Sequence, residues 1–201
     1  MYKFLFFIFL VLLISETTKA QERFEEIQHY KFFKVQTDIG YARPAGNGSK
    51  AGVLLAVEPK INLTDKLTVG LRMEASAIAR GYVDVNGTEV SGEAGFGFAV
   101  LATGDYYFTT RMVRPFIGAG GGIYNLISVD ARSGNGGSIS IPAVTKLGAM
   151  LRAGVEIWHF RAGLHYNFVG KTGQINNNYM GLTIGFVFGG GIKDEYSGRD
   201  N

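Results

Sequence analysis

His165 is the residue best suited to chemistry in this 201-residue sequence. It sits in the alternating run Arg161, Gly163, His165, Asn167. An imidazole there could act as a general base. With a serine beside it, it could support acyl transfer. The long polar stretches offer Ser49, Ser91, Ser128, Ser133, Ser138 and Ser140 but no histidine, so a Ser–His pair would need a serine on another strand. The reading the surroundings favour is an imidazole hydrogen-bonded within a polar network. His29 and His159 share no spacing with His165 that suggests a metal site. Asp84-Val85-Asn86-Gly87 is like the start of a calcium loop, but the glycine comes too early and the later ligand positions are missing. Gly118-Ala119-Gly120 lacks the third glycine of a dinucleotide motif, since Ile123 stands there and no helix follows. No catalytic residue, cofactor or metal is expected.

The remaining chemistry lies in charge. Lys34, Asp38, Glu58, Lys60, Arg72, Glu74, Arg80, Glu93, Lys146, Arg152, Glu156 and Arg161 all fall on one parity of their segments, together with His165. If that parity is enclosed, the charges must pair, because an isolated buried charge is too costly.

The element that positions them is clearest at Lys146 to Trp158. Leu147, Ala149, Leu151, Ala153, Val155 and Ile157 are apolar, and the intervening positions carry every charge. A period of two over this length is a two-faced β-strand, long enough to cross a bilayer obliquely. The pattern predicts seven more strands, over 33–42, 51–63, 67–81, 93–108, 114–127, 161–170 and 178–188. The phase of the 93–108 strand is ambiguous near Gly104, where a bulge would account for it. Connections alternate in length. Those at 43–50, 82–92, 128–142 and 171–177 are long and polar, and those at 64–66, 109–113 and 159–160 are short. An up-and-down barrel with both termini on the short-turn side predicts this alternation.

Alternation alone does not orient the faces. A soluble lipocalin-like carrier would turn its apolar face inward, and a membrane barrel would turn it to lipid. Three features favour lipid. No charge falls on the apolar face, as expected where Arg or Lys at the bilayer midplane costs about 2–4 kcal/mol. The charged face carries the glycines, which weaken a strand unless a close neighbour needs the space. Tyr41, Tyr106, Tyr107, Phe108, Phe116, Trp158, Phe160, Phe168, Phe186 and Phe188 gather near strand ends, as interfacial girdles do.

Residues 1–20 read as a cleaved signal peptide. Lys3 precedes the apolar run Phe4 to Ile14, and a small residue, Ala20, marks the cut. Of 20 basic and 17 acidic residues, the leader holds Lys3, Lys19 and Glu16, so 18 and 16 remain. That balance gives no argument for nucleic acid. No cysteine is present.

The segment Arg114 to Tyr124 (RPFIGAGGGIY), the closing strand Asn178 to Gly191 and the leader carry a resemblance. Over nearly all of 31–191 the chain resembles small eight-stranded outer-membrane β-barrel proteins of the OmpA/OmpX/OmpW type. The resemblance implies an all-β, eight-stranded antiparallel up-and-down transmembrane β-barrel over 31–188 in the outer membrane of a bacterium with two membranes. Residues 21–30, polar and acidic with no period of two, read as a short periplasmic lead-in, and 189–201 as a polar tail. The lipid bilayer and the barrel-assembly machinery are the implied partners. One departure is that thirteen residues follow Phe188, where such chains often end on the final aromatic. The expected role is non-enzymatic, with loop 128–142 as a surface for an unknown partner or with a role in envelope integrity. The alternatives are a lipid-modifying outer-membrane enzyme and a soluble lipocalin-like carrier of a small apolar ligand.

Overall fold

In the computed structural model, the described residues are 29–193 except 46–49, 80–81, 84–88, 91–93, 127–129, 133–137, 141–143 and 174. Eight long strands dominate them: β1 (Phe33–Pro44), β2 (Lys50–Asn62), β3 (Leu67–Ala79), β4 (Ala94–Tyr107), β5 (Val113–Leu126), β6 (Val144–Ile157), β7 (Phe160–Phe168) and β8 (Tyr179–Gly189). Each pairs antiparallel with its chain neighbours, and β8 closes on β1 from Lys34–Gly189 to Pro44–Tyr179. Closure leaves no sheet edge in the ring, which is the condition for crossing lipid with strands.

The apolar faces point outward. Leu55, Ile117, Leu151, Leu182 and Ile184 each keep more than half of their surface exposed. The charged parity points into the lumen, where Glu58 and Lys60 are buried. The soluble carrier of an apolar ligand requires the opposite orientation and does not fit. A belt of exposed leucine, isoleucine and phenylalanine around a charged interior is stable only where lipid replaces water outside.

The lumen is filled in two zones. Toward the long connections, Leu54, Ile78, Leu101, Leu126, Met150 and Val169 form part of a buried apolar cluster. Toward the short turns lie the ionic groups. An eight-stranded barrel is just wide enough for side chains to occupy its interior.

Several expectations need correction. β4 carries no bulge at Gly104, since its ladder with β3 runs unbroken from Leu67–Tyr106 to Ala79–Ala94. The one register shift in that part of the ring lies between Lys50 and Val53, where β2 meets β3. Tyr107 and Phe116 do not join an interfacial girdle; both are buried in the lumen. The third short turn is Trp158–His159, one residue earlier than expected, and Trp158 takes φ 59°. The long connections are not wholly irregular. Tyr82–Val83 pairs with Glu89–Val90, Asp130–Arg132 with Ser138–Ser140, and Lys171–Thr172 with Ile175–Asn176. The leader, most of the lead-in at 21–28 and the tail beyond Lys193 lie outside the described residues. Gly190 to Lys193 do not trail freely, because Ile192 bridges Tyr30.

Candidate functional site: the charged lumen

The inward positions of all eight strands build one connected polar network. Near the short turns, Lys34 on β1 donates to Glu156 on β6 at 3.1 Å and to the Tyr107 hydroxyl at 3.0 Å. Tyr107 in turn donates to Glu156 at 2.6 Å. Arg161 on β7 donates to the Tyr107 hydroxyl at 2.8 Å and to Asp105 at 2.9 Å. Asp105 also receives Lys60 at 2.6 Å and Arg152 Nε at 2.6 Å.

One layer further toward the long connections, the Arg152 fork grips Glu58, with Thr103 donating to the same carboxylate. Arg72 on β3 then reaches Asp38 at 2.6 Å through Nη1 and Glu74 at 2.9 Å through Nε. Gln36 donates to both oxygens of Asp38, and Tyr179 donates to Glu74 at 2.6 Å. Charge-assisted bonds of this length are about twice as strong as neutral ones. Their net effect on stability is smaller, because each ion has lost its water.

The strands position these groups through glycine. A Cβ at Gly118 would strike the Asp105 carboxylate and crowd Arg152 Nε, and one at Gly185 would strike Asp38. Large charged side chains on one strand therefore require bare backbone on the next.

Of the residues singled out in sequence, the structure brings together Lys34, Asp38, Glu58, Lys60, Arg72, Glu74, Arg152, Glu156, Arg161 and His165. Lys146 shares their parity but not their company. It lies half-exposed at the long-connection end and donates to the Lys171 carbonyl. Arg80 and Glu93 have no described side-chain placement. The sequence reading missed Asp105 and Arg114, both buried. Arg114 is held between the rings of Tyr30 and Tyr107, each 4.1 Å away. It also lies 3.5 Å from Glu156. Among the described residues, six cations and five carboxylates are buried, so the lumen is close to charge balance.

His165 departs from the expected imidazole hydrogen-bonded within the network: its Nε2 lies 3.7 Å from Glu74, beyond hydrogen-bonding reach, and has no hydrogen-bond partner among the described residues. The adjacent Gly181 leaves room for the ring. The arrangement as a whole is a fixed core that ties opposite walls of the ring together.

No known family profile matches the sequence, and no curated protein matches it. Solved structures do. Neisserial surface protein A matches with a TM-score of 0.58 at 21% identity, covering 80% of this chain and 98% of its own. The outer membrane protein OprG from Pseudomonas aeruginosa matches with a TM-score of 0.55 at 13% identity, covering 81% of this chain and 98% of its own. At these identities the likeness bears on fold alone. The chain has the fold of the small eight-stranded outer-membrane β-barrel proteins.

Proposed function

We propose that this chain is a non-enzymatic integral protein of a bacterial outer membrane, delivered there after removal of residues 1–20. In this reading the barrel is an anchor, and the long connections do the work, by contact with a surface partner or by supporting the envelope. The observation that carries it is the filled lumen. Ion pairs occupy one zone and apolar side chains the other, so the interior is a core rather than a substrate chamber. Function on such a scaffold belongs to its loops. The segment 128–142 is the longest of them and the favoured contact surface.

A lipid-modifying role has less support, because the His165 imidazole is enclosed against Glu74 and Gly181 rather than opened to the lipid face. The test is deletion of 130–140. The barrel should fold as before, read by its heat-dependent gel mobility, while cells lose the surface contact or envelope phenotype that the full chain restores. Loss of folding on that deletion would refute the loop assignment. An unaltered phenotype would refute the role given to it.

A further inference from the structure

The mouth on the short-turn side is crossed by the chain's own flanking segments. Lys31 N donates to the Gly191 carbonyl at 2.8 Å, and Lys193 N donates to the His29 carbonyl at 2.7 Å, on either side of the Tyr30–Ile192 bridge. These bonds continue the β1–β8 ladder beyond the ring. The segment then turns over the opening rather than away from it. The backbone amides of His29 and Tyr30 donate to Asp65 Oδ1 at 2.9 and 3.1 Å, and the His29 ring meets Asp65 Oδ2 at 2.7 Å.

Asp65 belongs to the β2–β3 turn. The Tyr30 hydroxyl donates to the Thr110 carbonyl in the β4–β5 turn at 2.7 Å. In the closed strand order, β5 stands diametrically opposite β1. Tyr30 therefore reaches from beside β1 into the mouth to meet the β4–β5 turn, and it is buried in doing so. Beneath it, Arg114 stacks on its ring and donates to the Asp65 carbonyl at 2.9 Å. Arg114 also reaches toward Glu156, so the cover is joined to the luminal network.

We propose that residues 29–32 and 190–193 form a strap that seals the lumen from the short-turn side, with Asp65 as its latch and Tyr30 as its crossbar. Opening of the strap exposes the luminal groups nearest this mouth to solvent without any change in the ring. Its bonds lie outside the closed ladder, so it can open locally at lower cost than the barrel unfolds.

The chain has no cysteine, so Thr68→Cys supplies a single thiol. Thr68 is buried on the inward face near this mouth, opposite Asn62 and Asp105, and its hydroxyl has no hydrogen-bond partner among the described residues. In detergent micelles, the rate of its reaction with a small charged methanethiosulfonate is measured alongside amide exchange of residues 29–32. Asp65→Ala removes charge-assisted bonds, so labelling should accelerate by about tenfold or more as exchange of the strap rises. Lys66→Ala on the same turn should change neither.

Strap exchange unchanged in Asp65→Ala would overturn the latch. Faster exchange with unaltered labelling would overturn the seal, and an equal effect of Lys66→Ala would overturn the assignment to Asp65. If Asp65→Ala does not give a heat-modifiable barrel, Tyr30→Ala, outside the eight strands, carries the same test with the same expected and contradicting results.

Discussion

Arg152 on β6 and Glu58 on β2 meet across the barrel in a two-pronged ion pair, Nη1 to Oε2 at 2.8 Å and Nη2 to Oε1 at 2.7 Å. The two strands stand four places apart in a ring of eight, so the pair ties opposite walls. A planar fork on a carboxylate fixes orientation as well as distance.

Removing one partner should therefore be costly. Arg152→Met leaves Glu58 without its fork and Asp105 without one of its three cations. Breaking a buried pair in this way costs about 3–5 kcal/mol. Urea unfolding in lipid vesicles should show that loss, whereas Arg152→Met combined with Glu58→Met should recover part of it. A single variant as stable as the parent would mean that the pair does not tie the walls.

Glycines on the two faces should behave oppositely. Gly118→Val drives a branched side chain into Asp105 and Arg152, and overpacking of this kind costs about 1–3 kcal/mol. Gly121 faces outward, and the nearest atom to an added Cβ is a carbonyl at 3.7 Å. Gly121→Ala should leave stability unchanged or raise it by about 0.5 kcal/mol. The unfolding midpoints of the two variants, compared under one set of conditions, check the pair.

Charge on the outer face should be penalised by depth. Leu151 is outward and mid-strand, next to the inward Arg152. Leu151→Arg should cost about 2–4 kcal/mol in vesicles, and Thr145→Arg near the strand end about 0–1 kcal/mol. Equal costs at both positions would argue against a bilayer around this belt.

The ring was legible from the sequence because each strand has two chemically opposite surroundings. Leu147 to Ile157 must face lipid while Arg152 and Glu156 face charge, and a period of two records that contrast directly. It fades where the outward side is small. Around Ala102 and Gly104 no large apolar residue marks the lipid face, and so Asp105 went unassigned. Tyr107 and Phe116 share the parity of Asp105 and Gly118, but their aromatic character suggested an interface instead. Parity was the better guide, and Arg114 could have been found the same way. Which cation meets which carboxylate was not legible at all. The Arg152–Glu58 contact depends on the stagger of strands across the ring, which no spacing within one strand encodes.

Trp158 offers a probe of where the ring sits. It is the only tryptophan, it is 73% exposed, and it occupies the first position of a two-residue turn with φ 59°, where glycine is the usual residue. An exposed indole at the same end of the ring as the exposed Phe160 and Phe188 suits a membrane interface. Its fluorescence should be quenched more by lipids brominated near the headgroup than by lipids brominated at the chain end. Trp158→Gly should relieve strain in the turn by about 1 kcal/mol or less while lowering affinity for the interface. Equal quenching by the two lipids would place the turn elsewhere.

The most direct test of the account is gel mobility of the chain from separated cell fractions, run unboiled and boiled in detergent. A band in the outer-membrane fraction should shift on boiling, because a closed ladder survives detergent until heat opens it. A chain recovered in the soluble fraction, monodisperse without detergent and unshifted by boiling, would contradict it.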